Sequence, residues 1–490
     1  MRVLVALSWL ALILGSEVLL SQESALVGEY LGSSGCFDCH EVPSPAAKER
    51  KKTDFFINLT EAKNWVFKDK HARAFINVRD TDLGKQMLEI LGIEKLAMAG
   101  QCTSCHSNPH WLKTNGGIEA ARTVYKESGV TCESCHGASS LWDTKHRSVR
   151  WRSELPETKV GLGMSDIRNP VTRASICFSC HIGDVSQNRV VTHEMYAAGH
   201  PPLPSIELET FLEKMPGHWR TVEEKKSGRF TNDDAFYSAN GISESKYRRL
   251  ESVVLSSAVA FRTSVKLIEQ QAARSNKPGG PAWPELAMFD CYSCHHDLKL
   301  PSWRQVRANE VHGYKLRPGR PQLLYWPTTL LPLSGQKLDG VNVSLREIGM
   351  ALDRRPFGDP VEIGLAAGKV MVQVDDLLES IKGVSLGEGD EVAALKRLCA
   401  LAESPTVDYE SARQIGWAFT VILQTYEPWA SDVAFREPIE QLEVQLKLNL
   451  PWGQEGKIEE QLHAALQAVS DYEPEEFRGI MRKLASLLGK

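Results

Sequence analysis

Ten of the eleven cysteines fall in five copies of one pattern, Cys-x-x-Cys-His. The copies are Cys36-Phe-Asp-Cys39-His40, Cys102-Thr-Ser-Cys105-His106, Cys132-Glu-Ser-Cys135-His136, Cys177-Phe-Ser-Cys180-His181 and Cys291-Tyr-Ser-Cys294-His295. Two thiols at this spacing can add to the two vinyl groups of one porphyrin, and the adjoining imidazole then reaches the iron as an axial ligand. Each copy therefore reads as an attachment site for c-type haem, which gives five haem c groups with their iron. At this chain's own Cys and His frequencies about 0.007 such motifs would arise by chance, so the repetition is a signal.

Two plainer uses of the cysteines compete. The pairs at 102/105 and 132/135 have the spacing of a zinc ribbon, and an exported chain can pair ten thiols as disulfides. Neither explains a histidine after every second cysteine. Cys399, the thiol left over, lies in an apolar helical stretch with Leu395, Leu398 and Leu401 and reads as a buried structural residue.

The elements that must hold these motifs are short. Four of them crowd into residues 36–181, with turn residues at Ser33-Ser34-Gly35, Asn108-Pro109, Asn115-Gly116-Gly117 and Asn169-Pro170. That density leaves little room for a side-chain core, so porphyrin faces are expected to serve as one. A helix is expected from Lys246 to Ala273, with Leu250, Val253, Val254, Val265 and Ile268 on one face, followed by a Pro/Gly linker over 277–284 and then the fifth motif. Beyond residue 334 the pattern predicts an α-helical module with helices over 361–382, 391–403, 409–426, 438–448, 457–469 and 474–488. Pro438 and Pro474 suit first turns, and Asp408 and Ser470 stand where N-caps are expected. The expected fold class is mainly α: short helices and loops around stacked haems, plus a C-terminal α-helical bundle. The expected division is a signal peptide over 1–21, a tetrahaem domain over 22–205, a helical region with the fifth motif over 206–333 and the helical domain over 334–490.

Of the fourteen histidines, five follow a cysteine pair, and eight more (His71, His110, His146, His193, His200, His218, His296 and His312) lie in the same region. They are the pool for the opposite face of each iron. A histidine on both faces gives low-spin irons suited to electron transfer, whereas an iron with one face open can bind a small molecule. His110 and His296 follow their motif histidines too closely to cross to the far face of the same porphyrin.

Residues 32–203 resemble the tetrahaem cytochrome c-554 family. The resemblance rests on Tyr30-Leu-Gly-Ser-Ser-Gly-Cys36, Lys70-His71-Ala-Arg-Ala, Gly129-Val-Thr-Cys-Glu-Ser-Cys-His-Gly137, Lys145-His146 and Ala198-Gly-His-Pro-Pro. It implies that His71 serves the third haem, His146 the fourth and His193 or His200 the first, with the second haem, on His106, left open. It leaves the fifth motif and the C-terminal half unaccounted for. His312 completes the set of expected iron ligands, together with His40, His106, His136, His181, His295, His71, His146, His193 and His200.

Composition agrees with a globular chain, at 42% hydrophobic and 24% charged residues, and a net charge of −5 argues against a nucleic-acid partner. Arg2, the apolar run from Val3 to Leu14 and the small residues Gly15, Ser16 and Ser21 read as an export signal, which puts the chain in the periplasm or its equivalent, where haem c is attached. The expected function is electron transfer between redox partner proteins, with the C-terminal helices available to dock on a membrane complex. The alternative is an oxidoreductase acting on hydroxylamine, nitric oxide or nitrite at one open iron.

Overall fold

The computed structural model describes residues 28–41, 59–108, 129–219, 248–295, 314, 316–317, 319–382, 386–448 and 467–489. The molecule is mainly helical. Among the described residues there is no strand, only isolated bridges at Asp184–Arg189 and Phe289–Leu323. The expected export signal, the Asn115–Gly117 turn, the 457–466 part of one expected helix and His110, His296, His312 and His463 lie outside the described residues.

The first part is built from short helices: α1 (Ser34–His40), α2 (Glu61–Lys68), α3 (Ala74–Asp80), α4 (Asp82–Ile90), α5 (Gly100–His106) and α6 (Cys132–His136). Motifs one, two and three each close a helix, so the histidine ends α1, α5 and α6. Its apolar core is one small cluster, Phe37, Ala62, Trp65, Val66 and Ala72. So few side chains cannot stabilise a hundred ordered residues by themselves, as the crowding of motifs suggests.

Motif four is anchored differently. Asn169 caps α7 (Pro170–His181) by accepting from the main-chain N–H groups of Val171 (2.9 Å) and Thr172, and Pro170 sits at the first helical position, where no N–H is missed. Ala174 and Phe178 of α7 are buried against α10 (Arg248–Ser275), reached after α8 (His193–Ala197) and α9 (Leu208–Lys214). Leu250, Val254, Ala258, Phe261, Val265, Ile268 and Ala272 follow one face of α10 at three- and four-residue steps, and all are buried.

Just past α7, Asp184 binds the loop to α10. Its carboxylate accepts from Lys266 Nζ (2.9 Å), Gln270 Nε2 (3.3 Å), Gln187 Nε2 (3.1 Å) and Ser186. Burial alone would raise this carboxyl, but the bonds from Ser186, Lys266 and Gln187 outweigh it and hold it well below the usual 3.8. The folded state therefore releases this proton more readily than the unfolded chain. The stability it contributes is complete above the ordinary value and is lost as pH falls below it. Wild-type protein should accordingly lose thermal midpoint between pH 5 and pH 2 more steeply than Asp184→Asn, and parallel profiles would contradict this assignment.

The longer helices after the fifth motif are α11 (Asp339–Arg354), α12 (Pro360–Lys382), α13 (Glu388–Ala402), α14 (Tyr409–Leu423), α15 (Arg436–Gln445) and α16 (Pro474–Leu487). α12 packs along α10, and one apolar cluster runs without a break from Ala174 to Leu488, through the whole α-helical bundle. Asp408 caps α14 by accepting from Ser411 N (2.7 Å), as expected. Ser470 does not cap: it ends a helical turn, and Glu473 precedes α16. Cys399 is buried in the cluster, and burial pushes its thiol up to about 12, as suits a structural residue. No helix among the described residues is long and apolar enough to cross a membrane.

Candidate functional site

Each motif histidine faces a second histidine. The ring centroids are 6.4 Å apart for His40 and His146, 6.3 Å for His106 and His200, 6.5 Å for His136 and His218, 6.2 Å for His181 and His71, and 6.4 Å for His295 and His193. Two imidazoles on opposite sides of one metal, with nitrogen–metal bonds of about 2.0 Å and about 1.1 Å from nitrogen to ring centre, would stand roughly 6.2 Å apart. Five recurrences of one spacing, each beside a Cys-x-x-Cys pair, fit an iron between every pair. The residues present therefore fit haem c.

Second contacts fix how the rings are presented. Where Nδ1 is held, Nε2 is left for the facing ring. His40 Nδ1 is bonded to Glu61 Oε2 (2.9 Å) and His71 Nδ1 to Asp69 Oδ1 (2.9 Å). His106 Nδ1 meets Ala74 O (3.1 Å), His200 Nδ1 meets Pro201 O (2.7 Å), and His146 Nδ1 meets Asp143 O. Burial lowers His136, His181 and His200 to about 4, which keeps them neutral, with a lone pair free for a metal. The hydrogen bond and charge of Glu61 raise His40. Burial pulls His71 down, but the bond and charge of Asp69 outweigh it.

These pairings depart from those the resemblance implies, and local bonds say why. His146 faces His40, not the fourth motif's His181, because the loop after motif three is tied to the segment before motif one: Ser140 N donates to Glu29 O (3.1 Å) and Glu29 N to Ser140 Oγ (2.7 Å). His71 faces His181, not the third motif's His136, with its ring set by Asp69 Oδ1 on Nδ1 (2.9 Å). The chain entering motif three meets the main chain of this turn instead, Val130 N to His71 O at 3.0 Å, and Gly129 packs so closely on it that a Cβ would lie 2.4 Å from Ala72 O. Neither His193 nor His200 faces His40. His200 stands opposite His106, so the second motif is not left with an empty face, and its ring follows Gly199, whose φ of +111° only glycine adopts readily. His193 stands opposite His295, because Glu285, on the approach to motif five, accepts from His193 N (2.8 Å).

His218 was in the histidine pool but outside the expected ligand set. It faces His136, and Asn64 Nδ2 of α2 donates to Gly217 O (3.3 Å) to bring it there. The order of the motifs along the chain, far from residue 218, carries no signal of that bond.

The motifs also neighbour one another in a definite order. The Cys36 and Cys132 thiols lie within interaction reach of each other, as do those of Cys105 and Cys180; these free thiols stand in for thioether sulfurs of the haem-bearing chain. Cys135 lies within electrostatic reach of Cys177 and Cys180, and Tyr196, beside His200, within reach of Cys291. The motifs thus run one, three, four, two, five in space.

Residues 35–137, which hold motifs one to three, match the family model described as "Cytochrome c554 and c-prime". The match identifies this segment as similar to a c554/c-prime-type cytochrome, and it implies covalently bound haem c and work in electron transfer or redox chemistry. No curated protein and no solved structure matches the chain.

Proposed function

We propose that the protein is an exported pentahaem c-type cytochrome that passes electrons between redox partners, with every iron held by two histidines. The pairs are His40 with His146, His106 with His200, His136 with His218, His181 with His71 and His295 with His193. The single observation that carries this is the common ring spacing of 6.2–6.5 Å at all five motifs. Haem iron bound in this way supplies one-electron chemistry. The chain contributes position and tuning: neutral buried rings, fixed second nitrogens and motifs set side by side. The spatial order one, three, four, two, five supports a single file of sites with motifs one and five at its ends, where redox partners would give and take electrons.

Export to the periplasm, suggested by the apolar N-terminal run after Arg2, and docking through the C-terminal helices belong to this proposal. The open-iron oxidoreductase finds no motif histidine without a facing ring. Electron paramagnetic resonance of the oxidised protein, with five haems per chain by pyridine haemochrome, tests the reading: only low-spin signals are expected.

A further inference from the structure

The five facing pairs differ in what holds the ring nitrogen turned away from the partner. His106, His146 and His200 meet main-chain carbonyls, of Ala74, Asp143 and Pro201. His40 and His71 meet carboxylates, Glu61 Oε2 and Asp69 Oδ1, each at 2.9 Å. Both carboxylates are locked in place. Glu61 opens α2, and its other oxygen accepts from Leu59 N (3.1 Å). Asp69 is 5% exposed, caps the turn that carries His71 and accepts from His71 N (2.9 Å) as well as from the ring.

An N–H that donates to a charged oxygen gives a stronger bond than one that donates to a neutral carbonyl, and the proton is drawn further from the ring. The ring is left richer in electrons and is a better donor to a metal on its other nitrogen. A stronger axial donor favours the more oxidised iron, which lowers the reduction potential. We propose that Glu61 and Asp69 are tuning residues, which hold the sites of His40/His146 and His181/His71 at lower potential than a neutral partner at the same nitrogen would. In each case one electron is taken up or given, the Nδ1 proton stays on the ring, and no bond is made or broken. The proposal rests on the reading that each facing pair holds an iron.

The test is a spectroelectrochemical titration of the full-length holoprotein at fixed pH, with Glu61→Gln and Asp69→Asn as separate variants. Each should move one of the five one-electron steps upward by at least 59 mV, a tenfold change in the oxidised-to-reduced ratio. Asp143→Asn is the control. The Asp143 carboxylate is near the same first site but is bonded to Arg147 (2.7 Å), and only its main-chain oxygen meets His146. Its removal should shift the step by less than half as much. Tuning is overturned if neither variant moves a step, or if Asp143→Asn moves it as far as Glu61→Gln, which would reduce the effect to plain charge. Should one variant fail to assemble, the other decides alone. Five low-spin haems in the variants with unmoved potentials would sink the tuning only. Missing haem or a high-spin iron in the wild type would sink the underlying reading as well.

Discussion

His200→Gly should convert one of the five irons from low to high spin and open it to azide, nitric oxide or added imidazole, leaving the other four unchanged. His200 is the ring opposite His106 at 6.3 Å, its Nδ1 is held by Pro201 O at 2.7 Å, and among the described residues no other ring faces His106. Glycine removes the donor and leaves a ring-sized space that imidazole can fill. The preceding Gly199 and the packing of Leu83 and Met87 near it keep the turn in place, so the lesion is local. Imidazole should restore the low-spin spectrum. The resemblance to tetrahaem cytochromes implies the opposite, an open second iron already in the wild type. If His200→Gly leaves the spectrum unchanged, the facing geometry is not ligation. The variant also gives a direct reading of the rival function, because reduction of a small nitrogen compound should appear only once the site is open.

The second large effect is expected at Glu133, one of the two residues between the cysteines of the third motif. Its side chain is buried, with the residue 2% exposed, and the carboxylate accepts from four donors: Leu31 N (3.0 Å), Gly32 N (2.7 Å), Ser139 N (3.0 Å) and Ser139 Oγ (2.6 Å). Two of these lie just before motif one, and two lie on the loop that leads to His146. One carboxylate thus ties together both histidines of the first pair. Glu133→Ala would strand the buried N–H groups of Gly32 and Ser139, each costing about 1–3 kcal/mol, for a total on the order of 4 kcal/mol, and would also free the half-buried N–H of Leu31. Hydrogen exchange at the Leu31 and Gly32 amides should accelerate by at least a hundredfold in Glu133→Ala, against roughly tenfold or less in Ser139→Ala, which removes only a hydroxyl. Equal exchange in wild type and Glu133→Ala would show that the carboxylate does not hold the segment.

The motifs and most helices were legible because both depend on local spacing. α10 spans Arg248–Ser275 where apolar steps predict 246–273, α12 spans Pro360–Lys382 where they predict 361–382, and α16 spans Pro474–Leu487 where they predict 474–488. α11 escaped notice. Gly340, Val341, Asn342, Val343, Ser344 and Gly349 are poor helix formers, and the helix owes its place to the packing of Val341, Ile348 and Leu352 against the bundle. Which histidine meets which motif was not legible. That choice is made by bonds between distant segments, such as Ser140 with Glu29, Val130 with His71, Asn64 with Gly217 and Glu285 with His193. Each joins residues that no periodicity relates. His218 shows the point most sharply, since its role depends on a main-chain carbonyl one residue earlier.

The ring planes give the account its most direct test. The planes of His40 and His146 differ by 14° and those of His193 and His295 by 25°, whereas the other three pairs are turned by 89°, 80° and 72°. Parallel axial rings raise the same one of two iron d orbitals and split them; crossed rings raise one each and leave them nearly equal in energy. Low-temperature electron paramagnetic resonance of the oxidised protein should therefore show low-spin iron alone, with two rhombic signals and three highly anisotropic ones that integrate to five irons per chain. A high-spin signal that integrates to one iron, altered by nitrite or nitric oxide, would contradict histidine on both faces of every haem.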